Sequence, residues 1–355
     1  MQIKQLIYVV LFSICSQWAW ASLPIQFWQT STGTRVYFVE NHDLPILDIS
    51  VEFAAGSGMD TPDKSGRANL VRHMLSLGAG GLTEDQITTA LVDVGAQIHG
   101  HFDRDRAGIS LRTLSSERER KQALDILARI IQHPEFSPTV LAREKARIVA
   151  GIKESSTKPD YIADQELTKM LYGDHPYGLN EIGEIDTVGS LQRQDLLDFY
   201  KSNYVTNQAI IAIIGDVSRA EAEAIVKSMT KELSSSSSQA TIPAVHAPAA
   251  GIKRIPHPAT QSHIQLAYPG LRRIDPDYFP LLVGNHILGG GGFVSRLMEE
   301  VRQQRGLAYS VSSYFSPFKE QGPFLIGLQT KKEQSEDAFA LTMKVLKDFV
   351  KDGPT

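Results

Sequence analysis

The run Ile46-Leu47-Asp48-Ile49-Ser50-Val51-Glu52-Phe53 alternates apolar and polar side chains, the pattern of a strand with one face in a core and the other outside it. Before it, Arg35-Val36-Tyr37-Phe38-Val39 reads as a second extended run, and Asn41-His42-Asp43-Leu44-Pro45 separates the two. After it, Gly56 to Gly66 is rich in Gly, Asp, Ser and Pro and reads as a loop, and Ala68 to Leu77 then turns helical in period. Thr83 and Gln86 have the spacing of a capping box at the start of another helix. A strand over Ala107 to Leu111, a helix over Ser116 to Gln132 and a long helix from Pro138 to about Ser155 follow. Strands and helices interleaved in this way predict an α+β fold.

Working outward, a chain of 355 residues exceeds one ordinary core and suits two domains. Its 42% hydrophobic and 21% charged residues are those of a globular protein. The formal net charge of -4 supplies no basic field, so no nucleic-acid partner is expected. Residues 234–250, a serine run followed by an Ala/Pro-rich stretch, predict a linker with too little apolar surface to pack. Beyond it the same order of elements returns: a strand (His263 to Tyr268), a helix (Tyr278 to Leu288), a Gly-rich turn, a helix ending near Gly306, strands at Ala308 to Phe315 and Phe324 to Gln329, and a helix from Asp337. Leu91 to Ile98 and Gln303 to Ser310 echo each other, each a helix running through Gly into a strand. The reading is one fold duplicated, with a first domain over 22–233 and a second over 251–355. The second is about half as long and reads as short or truncated.

The N-terminal residues predict export. Lys4 precedes an apolar stretch from Leu6 to Ile14, and Ala19-Trp20-Ala21 has the small-x-small form of a signal-peptidase site, so 1–21 reads as a signal peptide. The expected location is periplasmic or extracellular, with no stable membrane anchor after cleavage, because the apolar run is far shorter than a spanning helix. The one cysteine, Cys15, lies inside this segment, behind an Ile14 too bulky for lipoprotein processing. The mature chain would have no thiol, and any metal would need His, Asp or Glu.

Several stretches, in order, carry a resemblance. They are Asn41-His42-Asp43-Leu44-Pro45; Gly56-Ser57-Gly58-Met59-Asp60 leading to Gly66-Arg67-Ala68; Tyr172-Gly173-Asp174-His175-Pro176-Tyr177-Gly178; Ile213-Ile214-Gly215-Asp216; and Ser295-Arg296-Leu297 with Val301-Arg302 and Arg305 to Val311. Together the chain resembles the M16 (pitrilysin/insulinase-like) metallopeptidases. That resemblance implies two-layer α/β sandwich domains, duplicated, enclosing a chamber that admits peptides, and zinc-dependent peptide cleavage.

The family's zinc motif is H-x-x-E-H on a helix, with a Glu ligand from a later helix. The segment that aligns here is Asn69-Leu70-Val71-Arg72-His73: Asn69 stands at the first ligand, Arg72 at the general base, and only His73 remains. Counting back from Pro159 puts Gly151 where the third ligand should stand. Asn is a poor zinc ligand, Gly has no side chain, and Arg is a permanent cation, so no metal is expected in this chain. His99 and His101 alternate on a strand-like segment without a third ligand and are assigned none. No G-x-S-x-G elbow and no P-loop is present.

The resemblance also implies an Arg and a Tyr, here Arg302 and Tyr309, that reach substrate from the C-terminal half, and a flexible glycine loop, here Gly289-Gly290-Gly291-Gly292. A guanidinium and a phenol can stabilise a developing oxyanion beside zinc held by another chain. The resulting expectation is a non-catalytic, substrate-binding subunit of a heterodimeric peptidase, with zinc in a partner that has an intact H-x-x-E-H. Two alternatives stand beside it: a stand-alone peptide-binding or assembly module, and an active metallopeptidase with replacement ligands such as His73 with His99 or His101.

Overall fold

The structure is a computed structural model that describes residues 24–235 and 241–354. The signal-peptide reading falls outside these residues. In the first half the strands are β1 (Gln26–Gln29), β2 (Arg35–Glu40), β3 (Ile46–Phe53), a small hairpin of β4 (Gly78–Ala79) and β5 (Leu82–Thr83), β6 (Gln97–Phe102), β7 (Ala107–Leu114) and β8 (Ile210–Gly215). Its helices are α1 (Arg67–Met74), α2 (Glu84–Val92), α3 (Glu117–Gln132), α4 (Pro138–Ser155), α5 (Pro159–Tyr172), α6 (Ile185–Ser190), α7 (Arg193–Asn203) and α8 (Arg219–Thr230). The large sheet has the order β1-β2-β8-β3-β7-β6; β2 and β8 are parallel and the other pairings antiparallel, leaving β6 at one edge.

The alternation in β3 sets the layering. Leu47, Ile49, Val51 and Phe53 are buried, and they join Val36, Phe38, Ile109, Leu111, Ile211 and Ile213 in one core with Leu70, Val71 and Met74 of α1 and Leu127 and Ile130 of α3. Burying each such side chain contributes roughly 1.5–3 kcal/mol, an upper figure because the unfolded chain already hides part of it. The opposite face carries Tyr37, Asp48, Ser50, His99, Ser110 and Arg112 around a concavity. The Thr83/Gln86 capping box forms in both directions, at 3.3 and 2.9 Å.

The second half has β9 (Gln261–Pro269), β10 (Ser310–Phe315) and β11 (Pro323–Lys331) in the order β10-β11-β9, with helices α9 (Tyr278–Asn285) and α10 (Ser335–Asp352). Leu288, Leu297, Val301, Val311, Ile326, Leu328 and Val345 form its core. The echo read in the sequence has a shared geometry: Gly95 and Gly306 adopt φ of 64° and 61°, the left-handed turn that lets each helix run back into its strand.

One expectation needs correction. The 234–250 stretch does pack: in its described part, Ile242 and Val245 are buried against Leu171, Tyr172 and Tyr177. An extended segment with two apolar residues three apart can bury both in a seam between neighbours without forming an element, which composition does not reveal.

The same seam joins the halves. Tyr177, fully buried, donates its hydroxyl to Asp105 and accepts from Glu320 N at 3.3 Å, while Asp105 also accepts from Lys319 N at 2.6 Å. Tyr172 donates to Gln321 O at 3.2 Å, and Phe318 packs edge-on to Tyr177 at 5.1 Å. The loop between β10 and β11 is thereby fastened to residues 172–177.

Candidate functional site

Two clusters carry the residues singled out by sequence. The first is built on α1 and α4. Asp60 positions α1: its carboxylate accepts from Gly66 N and Ala68 N, each at 3.0 Å, with Arg67 at 3.5 Å. Burial pushes Asp60 up to about 7, against the pull of Arg67 and the two amides. On the helix so placed, Asn69 is half-buried and His73 turns toward α4.

His73 meets Glu144 and Arg147, two α4 residues that the sequence reading did not single out. His73 Nε2 lies 2.9 Å from Glu144 Oε2 and 2.6 Å from Arg147 Nη2. One ring nitrogen cannot donate to the first and accept from the second at once. Burial, with the Arg147 and Arg72 cations, lowers the His73 pKa despite Glu144, so the ring is neutral near pH 7. Arg147, a permanent donor, then takes the Nε2 lone pair. Burial raises Glu144, but its hydrogen bonds from Arg147 at 2.8 Å and Arg143 at 2.7 Å outweigh burial and hold it below the usual carboxylate range. The signal that could have found these residues is spacing, since 144, 147 and 151 share one face of α4.

This set does not fit zinc. The one imidazole has a guanidinium on the nitrogen a metal would need, Gly151 offers only open space where a Cβ would stand, and Arg72 brings a second cation. Among the described residues no group of three or more His, Cys, Asp or Glu is placed to hold a metal. The replacement set of His73 with His99 or His101 is not assembled. Strand alternation turns His99 and His101 to the sheet face away from α1, where His101 Nε2 contacts Ser110 Oγ at 3.1 Å.

The second cluster is Arg302, Tyr309 and Phe293. Residues Met298–Gln303 form a wide helical turn, Gly306 N donates to Arg302 O at 2.8 Å, and the chain reverses into β10. This brings the Arg302 guanidinium 4.9 Å from the centroids of both the Tyr309 and Phe293 rings. The two rings are 75% and 64% exposed, so the guanidinium is stacked between aromatic faces at the surface. No hydrogen bond, ion pair or ring contact among the described residues joins this cluster to the first.

The glycine run is a compact helix ending. A Cβ at Gly289 would overlap Ser313, one at Gly290 would lie 2.8 Å from Asn285 Nδ2, and one at Gly291 2.6 Å from His286 O; Gly292 has φ 61°. Each position of the run thus has a local reason to be glycine.

The remaining stretches of the resemblance are joints. His42 bridges Asp216 at 2.6 Å and Glu40 at 3.0 Å, and Ser115 donates to Asp216 at 2.6 Å, pinning the ends of β2, β7 and β8 together.

A duplicated sheet-and-helix architecture with a helix-borne motif on α1 defines the class. The family described as "Insulinase (Peptidase family M16)" matches residues 35–183, and that described as "Peptidase M16 inactive domain" matches residues 190–355. A solved Pseudomonas fluorescens structure described as a peptidase M16 inactive domain is 38% identical and superimposes with a TM-score of 0.91, covering 94% of this chain and 81% of that one. The "Uncharacterized zinc protease YmxG" of Bacillus subtilis is 25% identical over 93% of this chain and 80% of its own length. The "Non-peptidase homolog YmxG" of Helicobacter pylori is 24% identical over 90% of this chain and 74% of its own. The chain belongs to peptidase family M16.

Proposed function

We propose that this protein is the non-catalytic, substrate-binding subunit of an exported heterodimeric zinc metalloendopeptidase acting on peptides. The observation that carries the reading is the contrast between the two clusters: the His73 ring nitrogen is taken by the Arg147 guanidinium, while Arg302 and Tyr309 are held together and exposed. Stacking between Tyr309 and Phe293 limits the rotamers of Arg302, so little side-chain entropy remains to be lost when it meets a substrate oxygen. In the proposed assembly the partner chain, with an intact H-x-x-E-H, holds the zinc, and Arg302 and Tyr309 donate to the scissile carbonyl in trans. The Gly289–Gly292 turn would border the substrate path. The relative named a non-peptidase homologue supports the loss of chemistry, and residues 1–21 support export.

The test is metal content and cleavage of a quenched peptide library, by the full chain alone and mixed with an M16 homologue bearing H-x-x-E-H. The lone chain is expected to be zinc-free and inert, and the mixture to cleave. Arg302→Ala or Tyr309→Phe is expected to lower the mixture's rate by about 10²-fold, the usual loss for one oxyanion donor. One zinc per lone chain with peptidase activity would overturn the reading. Peptide affinity without any rate gain in the mixture would favour a stand-alone binding module.

A further inference from the structure

The first cluster carries a feature that the partner reading does not use. The Arg72 guanidinium lies beneath the edge strand β6, so close to Gly100 that an added Cβ there would overlap Nη1. Its Nε is shielded from solvent and has no hydrogen-bond partner. The neighbouring titratable group is the Tyr204 phenol, buried and itself without a partner, and among the described residues no carboxylate lies within ion-pair distance of Arg72. Glu144 is engaged elsewhere: its Oε1 accepts from Arg143 and its Oε2 from Arg147. Two guanidinium groups therefore hold Glu144, with Glu84 tied to the outer side of Arg143 at 2.7 Å.

A half-buried cation left without a counter-charge is costly unless something supplies one. The planar fork of a guanidinium matches a carboxylate in two hydrogen bonds, and partial burial keeps that pairing from being screened as a surface pair would be. The position is reachable, since Arg72 is only partly buried and Gly100 of the bordering edge strand is exposed. We propose that the replaced metal site is a carboxylate-binding site, with Arg72 as its ligand and Arg147 as the adjoining positive charge. The carboxylate comes either from the C-terminus of a peptide or from a free small acid. The proposal concerns the isolated chain and stands apart from the partner reading.

The experiment is fluorescence anisotropy on the full chain at 0.15 M salt, on the order of physiological ionic strength, with two fluorescein-labelled random octapeptide pools, one ending in a free acid and one in an amide. The acid pool is expected to bind at least tenfold tighter. Arg72→Gln should abolish that preference and Arg72→Lys should leave an intermediate one. Gly100→Ala, which must push Nη1 aside, should abolish it while the chain remains folded. Thermal melts with succinate provide the second arm. A succinate-induced rise in melting temperature that is lost in Arg72→Gln, without any acid-over-amide preference, assigns the site to free acids. Equal binding of both pools together with no succinate effect overturns the proposal.

Discussion

Replacing Tyr177 by Phe removes one oxygen from the seam that fastens the two halves. The phenyl ring keeps its packing against Phe318, Tyr172 and His175, so the change isolates hydrogen bonding. Burial and the bond to Asp105 push the Tyr177 phenol up in pKa, so it is the donor in that pair. Asp105 is 7% exposed and would be left with the Lys319 amide at 2.6 Å, while Glu320 N–H would lose its acceptor. A hydrogen bond to a buried charged group contributes about 1.5–3 kcal/mol, and the orphaned amide adds about 0.5–1, for a total of about 2–4 kcal/mol. The loss falls on local opening of the loop between β10 and β11, so the fitting assay is hydrogen exchange of peptides spanning 317–322, read by mass spectrometry. At about 1.4 kcal/mol per decade, exchange there should accelerate roughly 30- to 700-fold. Peptides from β3 and β7 in the first core should exchange at the wild-type rate. Acceleration of less than about threefold in 317–322, or an equal acceleration in β3, would refute the assignment of Tyr177 as a local clasp.

Rebuilding the zinc motif tests the account of its loss. The variant with Asn69→His, Arg72→Glu and Gly151→Glu is expected to stay largely metal-free until Arg147→Ala is added, because Arg147 holds His73 Nε2 at 2.6 Å; one zinc per chain without that fourth change would show that Arg147 is no obstacle. His42 gives a pH signature. Its hydrogen bonds to Asp216 and Glu40 raise it above its ordinary 6.5, so its contribution to stability is complete below that value and is lost as pH rises through the raised value. An NMR titration should place the His42 midpoint higher in the wild type than in Asp216→Asn, and coincident midpoints would remove Asp216 as the cause.

Much of this was legible in the residues. Alternation in Ile46–Phe53 set the inner face of the sheet, the Thr83/Gln86 spacing set the start of α2, and the paired Gly95 and Gly306 marked the repeated helix-to-strand turn. That Asn69, Arg72 and Gly151 are poor groups for zinc is a matter of residue type: no arrangement makes Gly151 a side-chain ligand. These are local or periodic properties, set by backbone geometry within one element. Tertiary structure decided the rest. The spacing of the quoted stretches gave no hint that His42 and Asp216 are partners across 174 positions, or that Tyr177 is the donor to Asp105 and fastens the second half. Neither did it tell that Arg147 would take the imidazole and leave Arg72 unpaired under Gly100. Each of these depends on which groups meet when two elements pack. A charge's worth there is set by burial and by neighbours already saturated, quantities that exist only after the chain has closed on itself.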